Sequence, residues 1–122
     1  MASFKILDGA MGSELIRRGL TLSKPLWSAE ANINNPEMVQ KIHEEYVYAG
    51  ADYITTNTFR TTPRAYRKTG IDNEKASHLA KNCLIKAVDM AKKATESSRM
   101  VIGSIAPLED CYRPDLFPGK DI

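Results

Sequence analysis

The sequence predicts an α/β chain whose parallel strands are joined by helical crossovers, and three observations predict it. Strand-like and helix-like segments alternate in the order strand, helix, strand, helix, strand. The strands are nearly all apolar, as strands covered on both faces are. Polar residues gather just after each strand, at Asp8-Gly9, at Thr56-Asn57-Thr58 and from Ser104 onward. In a parallel sheet these are the carboxyl ends of the strands, where ligands bind. The alternation is compatible with both a closed barrel and an open sheet.

Phe4-Lys5-Ile6-Leu7 is the first predicted strand, ending at Asp8-Gly9. A short helix follows from Ser13, with Leu15 and Ile16 apolar, Arg17 and Arg18 in its last turn and Gly19 as terminator. Leu20 to Ala31 is a predicted loop holding Pro25 and Trp27. Asn35-Pro36-Glu37 starts the next helix: Asn as N-cap, Pro at the first helical position, an acid beside the positive dipole end. Met38, Ile42, Tyr46 and Ala49 share one face at helical spacing, and Gly50 closes the helix. Tyr53-Ile54-Thr55-Thr56, rich in β-branched and aromatic residues, is the second strand. Asn57 to Pro63 is a polar loop. A turn at Gly70-Ile71-Asp72-Asn73 caps a helix from about Glu74 to Thr95, with Leu79, Cys83, Ala87, Met90 and Ala94 as its expected buried stripe. Met100 to Ile105 is the third strand, and the Pro-containing remainder is irregular.

The bulk numbers narrow the function classes. The chain has 122 residues, 43% hydrophobic and 26% charged, with 17 basic and 15 acidic side chains. That is an ordinary globular composition. The basic residues are scattered, so no phosphate-tracking surface is expected and nucleic acid is not a predicted partner. The apolar runs fall far short of the ~20 residues that a membrane span needs, and no membrane partner is expected. Met1-Ala2-Ser3-Phe4 leads directly into a strand, without the regions of a signal peptide. Cys83 and Cys111 form no CxxC, which favours reduced thiols and a cytoplasmic location.

Asp8-Gly9 is the first candidate for chemistry. A turn explains it well, since Asp and Gly favour loops. The carboxylate at a strand end could equally hold a ligand ammonium group, with Gly9 and Gly12 letting backbone amides approach a carboxylate. The spacing lacks GxGxxG, which excludes a dinucleotide fingerprint. Thr55-Thr56-Asn57-Thr58 would place amide and hydroxyl groups beside the same pocket, although an Asx-turn after a β-branched strand also accounts for it. His43, His78 and Cys83 fit surface or packing roles, Glu44-Glu45 and Glu109-Asp110 a solvated face or loop, and Trp27 packing. None of the three strands ends in a lysine, which disfavours an aldol-type lyase using a Schiff base.

Taken together, Ile6 to Ser13, Leu26-Trp27-Ser28-Ala29-Glu30, Ala49 to Phe59 and Gly103-Ser104-Ile105 resemble the homocysteine S-methyltransferase family, in its order and spacing. The resemblance runs across essentially the whole chain. It implies the N-terminal portion of a TIM (βα)8 barrel, about three βα units, with 1–122 a partial homocysteine-binding domain truncated before the later strands. A full barrel takes about 250 residues. It also implies transfer of a methyl group from a donor to the thiol of homocysteine, giving methionine. In that family a zinc ion held by three cysteines of later strands binds the sulfur, so its ligands are expected to lie outside this chain. By the same resemblance Asp8, Gly9, Met11, Thr56, Asn57 and Thr58 are the substrate-binding candidates. Ser13 stands where threonine is usual, and Ala106 to Pro114 replaces the usual Gly-Pro or small residues, which leaves the donor open among S-methylmethionine, betaine and a folate. The alternative is a non-catalytic part-barrel that binds an amino acid or assembles with itself or a partner through open strand edges.

Overall fold

A computed structural model describes residues 3–120. Met1 and Ala2, which the leader reading above includes, and the last two residues of the predicted domain lie outside the described residues. The elements are α1 (Gly12–Arg17), α2 (Ala31–Asn34), α3 (Pro36–Tyr48), β1 (Tyr53–Thr55), α4 (Pro63–Arg67), α5 (Asn73–Thr95) and β2 (Met100–Ile102), with 3-10 turns at Trp27–Glu30 and Pro114–Leu116.

β1 and β2 pair in parallel, with Tyr53 opposite Met100 and Thr55 opposite Ile102. The predicted first strand is a correction. It is reduced to one parallel bridge, Leu7 to Tyr53, with Asp8 N donating to Tyr53 O at 3.0 Å. Ile6 N donates to the Asp52 side chain at 2.9 Å, so a carboxylate takes the place of a ladder carbonyl. The bridge still puts this segment beside β1 on the side away from β2. The predicted third strand stops at Ile102, because Ser104 N turns to the Thr58 hydroxyl at 3.3 Å.

Helix boundaries follow local chemistry. Asp72 caps α5 by accepting from Lys75 N at 2.9 Å, and Thr62 caps α4 by accepting from Ala65 N at 3.2 Å. Asn35 occupies the N-cap position of α3, but its side chain makes no capping bond; Pro36 at the first turn needs no N–H partner. Gly19 after α1 and Gly50 after α3 adopt φ of 97° and 102°, the left-handed region open to glycine. The predicted loop from Leu20 to Ala31 holds the 3-10 turn and ends where α2 begins, and α4 begins at Pro63, the last residue of the predicted polar loop.

α3 and α5 pack against each other and against the sheet. Ile54 is fully buried between β1 and these helices, with Ala51, Ala91, Val47 and Val101 around it. A second cluster joins Leu15, Ala31, Val39, Ile42 and Met90. The buried faces follow the predicted stripes in part. On α3 they are Val39, Ile42 and His43, with Met38 and Tyr46 half-buried and Ala49 exposed. On α5 the predicted Cys83, Ala87, Met90 and Ala94 are buried, joined by Ala76, Ala80 and Ala91, while the predicted Leu79 is exposed. Small side chains along this face let the α5 backbone approach its neighbours closely.

Candidate functional site

Asp8 leaves the Leu7–Tyr53 bridge at the carboxyl end of the sheet. Its Oδ2 accepts from Thr55 N at 2.9 Å and its Oδ1 from Thr55 Oγ1 at 2.8 Å. The carboxylate is therefore held by the last residue of β1, with its remaining acceptor capacity turned to a cleft of about 350 Å³. Asp8, Gly9, Met11, Thr56 and Asn57 line that cleft, together with Ser28, Thr55, Phe59 and Ser104. The segment 8–12 arrives from one side and the loop after β1 from the other.

The candidates differ in what their side chains are free to do. Asn57 is saturated: Nδ2 donates to Ser28 O at 2.8 Å and Asn32 Oδ1 at 3.0 Å, and Oδ1 accepts from Ser28 Oγ at 2.9 Å. Asn32 Nδ2 returns a bond to Asn57 O at 2.8 Å and reaches Cys83 Sγ at 3.3 Å. This buried network fixes the loop after β1 on the α2 side. Thr58 is not in the cleft wall. Its hydroxyl lies 2.7 Å from Thr56 Oγ1 and donates to Ser104 O at 2.7 Å, tying the loops that follow β1 and β2. Met11 is half-buried against the Leu15–Val39 cluster.

Glycine is required at two places by close approach. A Cβ on Gly9 would lie 2.6 Å from the Tyr46 hydroxyl, and one on Gly12 would lie 2.8 Å from Trp27 Nε1. The Tyr46 hydroxyl donates to Ala10 O at 2.9 Å, so α3 braces the strand-end turn from behind. Burial pushes that phenol above its ordinary range. Tyr46 was legible only as a core-stripe residue; the bond to Ala10 spans α1 and could not be seen in local pattern.

His43 is fully buried, and among the described residues neither ring nitrogen has a hydrogen-bond partner. Desolvation pushes its pKa below the ordinary value, against the opposing pull of the Asp8 charge.

The family model for homocysteine S-methyltransferase matches residues 5–121. The chain belongs to the homocysteine S-methyltransferase family. Homocysteine S-methyltransferase from Escherichia coli (strain K12) is 34% identical over 111 residues, covering 84% of this chain and 34% of that protein. Homocysteine S-methyltransferase 2 from Zea mays is 34% identical over 91 residues, covering 75% and 26%. A selenocysteine Se-methyltransferase from Brassica oleracea var. italica is also 34% identical over 91 residues, covering 75% and 25%. The crystal structure of the E. coli homocysteine methyltransferase MmuM in its metallated form superposes with a TM-score of 0.72, covering 84% of this chain and 38% of that one. The chain spans about a third or less of the length of the curated relatives it matches.

That MmuM form carries metal. Among the described residues no group of three His, Cys, Asp or Glu side chains could hold a metal ion. Cys83 is buried in α5 and donates to Ala29 O at 3.3 Å, and Cys111 is exposed on the loop after β2. The donor set among the described residues does not suit a metal ion. No helix among the described residues is long and apolar enough to cross a membrane.

Proposed function

We propose that this chain supplies the amino-acid-holding part of a methyl transfer to the thiol of homocysteine, as the first βα units of a (βα)8 barrel. The observation that carries the proposal is the Asp8 carboxylate, pinned by Thr55 at the parallel strand ends and opening on a cleft of about 350 Å³. A carboxylate so held is pre-organised for the ammonium of an amino acid, since a charge-assisted bond is stronger when its acceptor need not be ordered on binding.

In this reading Asp8 binds the homocysteine ammonium, Gly9 and Met11 shape the turn around it, and Thr56 walls the cleft. Asn57 and Thr58 act at one remove, holding the loop after β1 in place. Zinc, which would present the sulfur as a thiolate, is proposed to come from cysteines outside these residues; no step of the transfer is assigned to side chains present here. Methionine formation, a methyl donor bound opposite Asp8 and a cytoplasmic location complete the proposal.

Calorimetric titration of the chain with homocysteine tests it. Asp8→Asn is expected to weaken binding by about tenfold to a hundredfold, the worth of one hydrogen bond to a charged group. Equal affinity of the wild type and Asp8→Asn would remove Asp8 from the site.

A second reading, a part-barrel that assembles with itself, is favoured by the exposed Met100 and Ile105 beside the free side of β2. Concentration-dependent elution on size exclusion, lost in Met100→Lys, would support it.

A further inference from the structure

The segment after β2 folds back as a strap, residues 106–113, across α4 and the loop that precedes Trp27. Its two adjacent acids are paired with cations of other segments. Glu109 accepts from Arg64 Nε at 2.8 Å and pairs with Lys68, both on or just after α4. Asp110 pairs with Lys24 at 2.6 Å and with Arg60 at 3.6 Å. The two acidic side chains are only 12% and 15% exposed, so four cations from three separate segments enclose them.

Little else holds the strap. Among the described residues its backbone hydrogen bonds are local, such as Arg113 N to Asp110 O at 2.9 Å, and none runs to the body of the fold. Its large apolar side chains bury poorly: Leu108 is 45% exposed and Tyr112 84%. Apolar burial therefore contributes little, and the charge pairs carry the attachment. Beneath and beside the strap lies a chamber of about 310 Å³ bounded by Trp27, Phe59, Arg60, Cys111 and Tyr112. Phe59 also lines the Asp8 cleft, so the two spaces share a residue.

We propose that residues 106–113 are a lid latched electrostatically over this chamber, opening as a unit when Glu109 and Asp110 lose their cation partners. The juxtaposition requires it to behave unlike the helical body. A strap held by partly exposed ion pairs is sensitive to salt, whereas α5, held by a buried alanine face, is not. The latch is independent of homocysteine binding at Asp8; only its role as a gate to the cleft rests on that reading.

Hydrogen exchange of the 122-residue chain, followed by mass spectrometry of peptides from the strap and from α5, tests the latch directly. The Tyr112 and Arg113 amides, both bonded to Asp110, are the reporters. Raising salt from about 0.1 M to about 1 M is expected to speed strap exchange by about tenfold with α5 unchanged. The double variant Glu109→Gln, Asp110→Asn is expected to reproduce that rate at low salt and to lose the salt response. Strap exchange that ignores both changes, or that accelerates only together with α5, overturns the lid. Because the salt series uses the wild type, the test stands even if the double variant does not fold.

Discussion

His43 shows how a single side chain can set a pH limit on the fold. Its nitrogens are buried without partners and its pKa lies below 6.5, so between those two values the unfolded chain binds a proton that the folded chain does not. Stability is therefore complete above pH 6.5 and falls as pH drops below it, by up to about 1.4 kcal/mol per unit for one group. Urea titrations from pH 8 to 5 should show this decline, and His43→Leu should flatten it. The same variant should be no less stable than wild type at pH 8, or at most about 1 kcal/mol worse, because it removes polar atoms that have no bond to lose. A loss of several kcal/mol there would mean that the imidazole has a partner. Gly9 presents the opposite case, a residue with no side chain because there is no room for one. Gly9→Ala should cost about 1–3 kcal/mol by driving a methyl into the Tyr46 ring, and Tyr46→Phe should recover part of it by removing the hydroxyl at 2.6 Å. Thermal melts of the two single variants and the pair would show the coupling or its absence.

Helix α5 is defined by small residues. Ala91 meets Ala51 and Ile54 in the core, and Ala76, Ala80 and Ala87 repeat along the same face. Ala91→Leu should destabilise the chain by about 1–3 kcal/mol through overpacking, while Leu79→Ala on the exposed side should change little. Similar denaturation midpoints for the two would contradict the burial of Ala91 and the exposure of Leu79. The positions of α1, α3 and α5 were legible in the sequence from Gly19, Asn35-Pro36, Gly50 and Asp72, because caps and terminators act through neighbours in the chain; the short α2 and α4 were not. Their buried faces were legible in part: the periodicity marked Cys83, Ala87, Met90 and Ala94 correctly, but it also marked Leu79, which is exposed, and missed Ala76, Ala80 and Ala91, because a small residue gives a weak periodic signal. The strand ends were also overestimated, since Ile6 and Ser104 give their amides to side chains far away in sequence rather than to the ladder.

At the scale of the molecule, the chain holds the Asp8 cleft at its parallel strand ends and no cluster of metal ligands among its described residues. Incubated with homocysteine, zinc and S-methylmethionine, the isolated 122 residues should form no methionine above the rate without protein. Sustained turnover would sink the proposal that the sulfur-activating residues lie elsewhere. The relatives it matches are three to four times the length of the matched stretch, and homocysteine affinity tests the proposed role of Asp8 without requiring transfer.

The sequence by itself determined the α/β alternation, the parallel order of the segments, the strand-end location of Asp8 and the homocysteine S-methyltransferase family. These depend on local propensity and on short motifs whose residues are adjacent. Only the tertiary structure decided what each polar residue does. Asp8 is fixed by Thr55, Asn57 is consumed by Ser28 and Asn32, Thr58 binds the loop after β2 rather than the cleft, and Glu109-Asp110, expected to be solvated, latches a strap. Each of these depends on contacts between residues 25 to 86 positions apart. A hydroxyl, amide or carboxylate looks the same in sequence whether its partner is a ligand, a backbone or water, and packing alone makes the choice.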